Sequence, residues 1–393
     1  MKITAMKKPA LTVLLLLVLG LTLICAGCGD IAAQLTAGDE TEAGATAGGD
    51  EDADAEGTEE GAEAPADLVP LALITEAAGV EEAGYDAAAW AGLSAYAEES
   101  GLAAAWYPAE TADQAGRLAA VGQAVENGAQ LIVCAGVQYG DTVYEAQFLY
   151  PEVSFVLCDG EPHSLDYTEF EVAPNTYAVT YTERETGYLA GYALVAEGFT
   201  KVGFLGGMAL PAAVNSGAGF LQGVNQAAED LEKNVDLYFT YTGLLGDDSS
   251  AQNLAGSWYA NGVEAIYVSG DFAASVCGAA EAAGAWVIAS GYDQWQLSDR
   301  VLASTVKDVQ STVQQAAAAW AEGSLWGGKQ VTLGLSNSAV KLAMDNERFA
   351  NFSVANLRML LNRLDSGELT VAPGSAETDP AALVGPRVTL HLE

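Results

Sequence analysis

Histidine is almost missing from this chain, whose 393 residues contain only His163 and His391. A histidine-dependent catalytic triad or metal centre therefore has little material to work with. Cations are scarce too: 15 Lys and Arg stand against 53 Asp and Glu, for a formal net charge of -38. That balance argues against nucleic acid as a partner. Of the five cysteines, Cys134, Cys158 and Cys277 are widely spaced and lie in or beside apolar runs. An odd set without CxxC spacing argues against a disulfide scaffold and against zinc, and reads as buried free thiols. Carboxylates are the remaining catalytic material, yet Asp271, Asp293 and Asp308 lack the dense Asp-x-Asp spacing of a metal-dependent hydrolase. No cofactor or metal is expected, and no catalytic residue. Residues 29–67 lack aromatic residues, Lys and Arg altogether, so they cannot bury enough apolar surface to offset their ordering entropy.

The N-terminus is where the chain does concentrate cations. Lys2, Lys7 and Lys8 precede Leu11 to Ile24, a run of mostly Leu, Val and Thr, which is the layout of a secretory signal. It ends at Cys25-Ala26-Gly27-Cys28, small residues before a cysteine, which resembles the lipobox of bacterial lipoproteins. The resemblance implies cleavage of residues 1–27 and lipidation of Cys28, with the protein held on the extracytoplasmic face of the cell membrane. A plain transmembrane anchor is the alternative, but the apolar run is shorter than the roughly 20 residues a span requires. Residues 28–67 then form an acidic tether. Behaving as a flexible coil, its roughly 40 residues reach on the order of 35 Å; an acidic interaction arm is the other reading.

From Leu68 onward roughly 325 residues remain, enough for two ordinary domains. Short apolar runs predict strands over 69–75, 103–107, 130–135 and 154–158, separated by amphipathic stretches over 86–99, 112–126 and 142–149. A second series follows, with strands over 201–205, 237–241, 265–269 and 286–289 and helices over 212–232, 250–259 and 273–283. Such alternation implies βαβ units and parallel sheets, and two series imply two α/β lobes. The halves echo each other: a strand, Gly136, a helix, a strand and Asp159-Gly160 in one; a strand, Gly270, a helix, a strand, Gly291 and Asp293 in the other. Ligands of open parallel sheets gather beyond the carboxyl ends of strands, which points these residues at a shared cleft. Strand termination and helix capping explain each of them equally well. Residues 351–364 read as an amphipathic helix with Leu357, Leu360, Leu361 and Leu364 on one face. The periodicity leaves 388–392 unplaced.

Several segments in order resemble the basic membrane protein family of ABC-transporter lipoproteins, whose characterised members include purine nucleoside receptors. They are Asn175-Thr-Tyr-Ala-Val-Thr, Glu185-Thr-Gly-Tyr-Leu-Ala-Gly191, Lys201-Val-Gly-Phe-Leu-Gly-Gly-Met208, Pro211, Gly219-Phe-Leu-Gln-Gly223, Gly291-Tyr-Asp-Gln294 and Leu302-Ala-Ser-Thr-Val-Lys307-Asp. The similarity covers most of residues 69–345. It implies the type I periplasmic-binding-protein fold, two Rossmann-like lobes with a hinge and an interlobe cleft. The expected division is a solute-binding domain over 68–345, its first lobe mainly 68–182 plus C-terminal segments and its second mainly 183–290, with 346–393 packing on the lobes. Gly323 to Gly328, with Trp326, resembles the family's turn before a final strand pair.

The resemblance also implies a site. A purine needs an aromatic face, and ribose hydroxyls need a carboxylate and a cation or amide. Tyr85 and Asp86 stand where the family usually has Phe-Asn, Tyr139 and Asp141 in the loop resembling its base-reading region, and Asp293 and Lys307 at the ribose-gripping positions. Gly270 would let backbone approach the sugar, while Trp90, one turn into the first helix, reads as core. A salt bridge from Lys307 to Asp308 or Asp293 is the competing structural role. The second stacking aromatic of nucleoside-binding relatives falls at Ser216, an acid frequent in the family becomes Gly217, and the first Asp of Asp-x-Asp-Gln becomes Gly291. These departures leave room for a different nucleoside, a modified base or another polar metabolite. The implied function is capture of a small polar ligand, a nucleoside foremost, for an ABC permease. A membrane-tethered sensor and an exported nucleoside hydrolase are the alternatives.

Overall fold

The computed structural model describes residues 68–393 apart from 82, 326, 345 and 346. The secretory signal, Cys28 and the acidic tether lie outside the described residues. The first lobe begins with β1 (Leu71–Thr75), α1 (Tyr85–Ser100), β2 (Ala104–Pro108), α2 (Gln114–Glu126) and β3 (Leu131–Ala135). It continues through α3 (Gly140–Leu149), β4 (Ser154–Cys158) and β5 (Thr176–Tyr181). The chain then crosses to the second lobe with α4 (Glu183–Glu197), β6 (Lys201–Gly206), α5 (Pro211–Asp230), β7 (Val235–Tyr241), α6 (Ser249–Ala260) and β8 (Ala265–Ser269). That lobe goes on through α7 (Ala273–Ala283), β9 (Trp286–Gly291) and β10 (Val301–Lys307). It returns for α8 (Val309–Ala321) and β11 (Lys329–Leu333), and crosses once more to β12 (Val340–Ala343), α9 (Val354–Asp365) and β13 (Val388–Leu392).

The first sheet has the order β11-β5-β4-β3-β1-β2 and is parallel throughout. The second has the order β12-β10-β9-β8-β6-β7-β13, parallel except where β12 runs against β10. β1, β3 and β8 are buried at every residue, because helices cover both faces of each sheet. Continuous apolar runs rather than alternating ones are the consequence. One face of the first sheet packs on α1 and α8, the other on α2 and α3. In the second lobe α4, α5 and α9 cover one face, with α6 and α7 on the other. Two parallel α/β lobes joined by three crossings are the type I periplasmic-binding-protein architecture.

The motif glycines at 187, 191, 219 and 223 have a packing role. A Cβ at Gly187 would fall onto the Ser216 carbonyl and one at Gly191 onto that of Phe220; Gly219 and Gly223 lie likewise against the carbonyls of Arg184 and Tyr188. Bare backbone at four-residue spacing on both helices is what lets α4 and α5 touch. The strand pair expected after residue 328 separates instead: β11 joins β5 in the first sheet and β12 joins β10 in the second. From β12 onward the chain builds on the second lobe, where Leu357, Leu360, Leu361 and Leu364 of α9 enter the core. Residues 388–392, unplaced by periodicity, are the edge strand β13. Cys134, Cys158 and Cys277 are buried free thiols, and burial pushes all three upward, Cys277 to about 12.

Candidate functional site

A cavity of about 540 Å³ opens where the carboxyl ends of the two sheets face each other. From the first lobe it is lined by Gly79 after β1, Tyr85 and Asp86 at the start of α1, Gly136 to Gln138 after β3, and Asp159 after β4. From the second come Gly207 and Met208 after β6, Leu244, Leu245 and Asp247 after β7, Ser269 to Asp271 at the end of β8, Gly291 and Tyr292 at the end of β9, and Lys307 ending β10. Glu183, at the first crossing, closes the floor. Strand ends converge here because both sheets are parallel, so every βα turn of a lobe emerges on the same side.

Of the residues singled out from sequence, Tyr85, Asp86, Gly270 and Lys307 are brought together in this cavity. The Lys307 ammonium lies 2.8 Å from Asp159 Oδ2 and 3.0 Å from Oδ1, also ion-pairs with Glu183, and sits 5.8 Å from the centre of the Tyr85 ring. Its partners are therefore Asp159 and Glu183 rather than Asp308 or Asp293. Asp308 instead caps α8 by accepting a hydrogen bond from Ser311 N at 3.0 Å. Burial works against the ammonium, but Asp159 and Glu183 outweigh it and hold Lys307 protonated well above the ordinary lysine range. Two carboxylates share one cation, which disfavours full ionisation of the pair, and the effect falls on Glu183. Burial pushes its carboxyl up, with Asp159 adding to the shift and Lys307 opposing it.

Tyr85 reaches across the cleft. A Cβ at Gly291 would stand 2.9 Å from the Tyr85 hydroxyl, and Gly291 has φ 99°. The departure to glycine at 291 is thus what makes room for the tyrosine at 85, in a backbone conformation that side chains rarely adopt. The Tyr85 ring meets Tyr292 edge-on, centroids 6.3 Å apart. Burial raises the Tyr85 hydroxyl well above its usual range, Lys307 opposing and the nearby carboxylates adding. Asp86 accepts a 2.9 Å hydrogen bond from Glu76 N on Oδ2, while Oδ1 is buried without a hydrogen-bond partner. Burial lifts this carboxyl to about 7, against the Glu76 N–H.

The other sequence candidates lie elsewhere. Tyr139 is fully buried, its ring 5.7 Å from the Arg117 guanidinium. Asp141, 8% exposed, accepts hydrogen bonds from Arg117 Nη2 and the Thr142 hydroxyl, at 3.5 and 3.0 Å. Together with the pair from Arg117 to Glu76 at 3.3 Å, they tie α2 to α3 and to the end of β1. Asp293 is exposed and accepts a 3.4 Å hydrogen bond from Trp295 N, outside the cavity lining. Trp90 packs against the first-lobe core. Ser216 is fully buried, with its hydroxyl 3.0 Å from that of Tyr267, so no side chain at that helix position faces the cavity. Sequence reasoning passed over Tyr292, Glu183 and Asp271 as binding candidates, and pointed Asp159 at the cleft only as one of several strand-end residues, without a role at the site. The echo between the halves was the available signal, since Gly136, Asp159, Gly270 and Gly291 all line the cavity.

Sequence and structure comparisons agree with this architecture. The profile of the Bmp family, described as ABC transporter substrate-binding protein PnrA-like, matches residues 70–369. A nucleoside-binding protein of an ABC transporter from Lactococcus lactis subsp. cremoris is 26% identical over 299 residues, spanning 70% of this chain and 81% of the relative. The CD4+ T-cell-stimulating antigen of Listeria monocytogenes is 22% identical, over 77% of this chain and 87% of its own. Among solved structures, an ABC transporter solute-binding protein of Aeropyrum pernix K1 superposes with a TM-score of 0.62 at 20% identity, covering 78% of this chain and 95% of the other. One from Conexibacter woesei gives 0.60 at 21% identity, covering 77% and 99%.

Proposed function

Since this chain belongs to the Bmp family of PnrA-like ABC-transporter substrate-binding proteins, we propose that it is a lipid-anchored, extracytoplasmic receptor that delivers a nucleoside or similar polar metabolite to an ABC permease. The observation that carries this reading is the cavity between the lobes, where an aromatic pair, Tyr85 and Tyr292, stands beside the polar floor of Lys307, Asp159 and Glu183. The ring faces suit a base, and the carboxylates suit the hydroxyls of a sugar. Lys307 orients those carboxylates and places one cation beside them. Gly270 keeps side-chain bulk away from the same wall, and Asp86 closes the first-lobe end. The nucleoside named for the Lactococcus relative supports the ligand class. We place Tyr139, Asp141 and Asp293 outside the contact set.

The anchor is Cys28, carried on the acidic tether over 28–67, and the membrane-facing partner is the permease. No catalytic residue belongs to this reading. Thermal-shift screening of the purified protein against nucleosides, bases, sugars and amino acids tests it, because a ligand that binds only the native state stabilises it by RT ln(1 + [L]/Kd). A nucleoside should raise the unfolding temperature and be recovered unchanged after incubation. A stabilising set confined to sugars or amino acids, or multiple turnovers of product, would refute it.

A further inference from the structure

The charges around the cavity do not balance. Five acidic side chains line it, on Asp86, Asp159, Glu183, Asp247 and Asp271, of which Asp86 is about half protonated at neutral pH, whereas among the described lining residues Lys307 is the only cation. Its ammonium is already taken up between Asp159 and Glu183. Asp86 accepts from the Glu76 N–H, and Asp247 accepts from the Ser275 N–H at 2.8 Å and the Ser275 hydroxyl at 2.7 Å. Asp271 differs from all of these. Its side chain has no hydrogen-bond or ion-pair partner among the described residues, and it is exposed along the cavity wall. It is nonetheless surrounded by enough protein that burial raises its carboxyl, with Asp159 and Asp247 adding to the shift and Lys307 opposing it. The carboxylate is thus open to the cleft and unpaired, with further negative charge nearby on Asp159 and Asp247, a position that a cation would relieve.

We propose that the cleft is built for a ligand bearing a positive charge, with Asp271 as its counter-charge, and that phosphorylated ligands are excluded. This rests on the reading that the interlobe cavity is the ligand site and names the chemical class that fits it. A phosphate entering the cavity meets like charge on both walls and finds no arginine fork or uncommitted lysine to receive it. A cation meets Asp271 and, in the lining of the same cavity, the electron-rich rings of Tyr85 and Tyr292. The excess of acid over the whole chain, at -38, draws cations toward the protein and repels anions. Within the nucleosides, the chemistry points to a base that is protonated or alkylated to a cation at neutral pH. Any phosphate on such a compound must be hydrolysed before this protein takes it up.

Isothermal titration calorimetry with three matched probes tests the proposal: adenosine, the cationic 1-methyladenosine, and adenosine 5′-monophosphate. The expected result is at least tenfold tighter binding of 1-methyladenosine than of adenosine, with no detectable binding of the monophosphate. In Asp271→Asn the ratio between the two nucleosides should collapse to within about twofold. Because Asp271 has no partner to lose, this variant should unfold no earlier than the parent protein. Adenosine binding as tightly as its methylated cation, the monophosphate binding comparably, or a ratio that survives Asp271→Asn would each overturn the proposal. Should none of the three bind, the nucleoside reading fails by itself, and arginine against its neutral isostere citrulline decides the charge preference. Binding of arginine alone upholds the preference; binding of citrulline equally, or of neither, overturns it.

Discussion

Lys307 Nζ lies 2.8 Å from Asp159 Oδ2, so the last residue of β10 in the second sheet is joined to the residue that follows β4 in the first. The two are 148 positions apart in sequence. With Glu183 on its other side, Lys307 is the shared counter-charge of two carboxylates whose side chains are only 10% and 13% exposed.

Removing one member of a buried ion pair leaves an uncompensated charge, which costs about 3–5 kcal/mol. Lys307→Met should therefore lower the stability of the ligand-free protein by that order in urea unfolding. Adding Asp159→Asn to it should restore part of the loss, since one stranded carboxylate is then neutral. Unchanged stability in the single variant would show that the cation is dispensable to the fold and serves the ligand alone.

The helix pair α4 and α5 gives a test in which the sign is informative. On an open helix surface Gly→Ala gains up to about 1 kcal/mol from helix propensity. At Gly256 of α6 an added methyl would have nothing within 4 Å, so Gly256→Ala should stabilise the protein by roughly 0.5–1 kcal/mol. At Gly219 the added methyl meets the Arg184 backbone, which cannot move as a side chain does. Gly219→Ala should destabilise by about 1–3 kcal/mol, the cost of overpacking. Thermal unfolding of the two variants side by side checks both signs.

The elements legible in the sequence were those with a continuous apolar run, such as β1 and β8, because burial on both faces demands one. β11 is Lys-Gln-Val-Thr-Leu, an edge strand largely open to solvent, and nothing in its composition separates it from a loop. β13 is amphipathic and forms by lying parallel to β7, a partner about 150 residues earlier in the chain. The site was legible to the same depth. Glycines and aspartates at strand ends marked the cleft, but Asp159 and Asp293 look alike in sequence. Only the fold puts the first beside Lys307 and leaves the second in solvent. Tyr139 and Asp141 sit in the right loop, yet Arg117 from the neighbouring helix draws both into the core. Side-chain direction of that kind depends on long-range packing, which local pattern does not encode.

Anchoring is tested at Cys28. Cys28→Ser should release the protein from the membrane fraction or leave it unprocessed, while Cys25→Ser should do much less. Retention of an acylated Cys28→Ser protein in the membrane would mean that the lipid is carried elsewhere.

Asp86 provides a test by pH. Its carboxyl titrates at about 7 in the folded protein against about 3.9 for an unfolded aspartate. The causes are burial first, then the opposing Glu76 N–H, then the negative charge of Glu76. The groups around it come from four other elements: Glu76 beyond β1, Cys134 on β3, Tyr139 before α3, and Arg117 on α2, which pairs with Glu76. An acid whose folded pKa is the higher holds its proton more tightly in the native state. Between pH about 4 and about 7 the native protein therefore binds a proton that the unfolded chain has released, and stability falls as pH rises through that window. The contribution is fully present below pH about 4 and is lost above pH about 7, for a total on the order of 4 kcal/mol. Other carboxylates in so acidic a chain add their own slopes, so the quantity to measure is the difference between parent and Asp86→Asn. Urea midpoints taken at half-unit steps from pH 4 to 8 should show the parent losing stability relative to the variant up to pH about 7, and the difference levelling beyond it. Parallel profiles across the range would mean that Asp86 is ionised in the folded protein like an ordinary surface aspartate. The buried Oδ1 would then have to find a donor in solution.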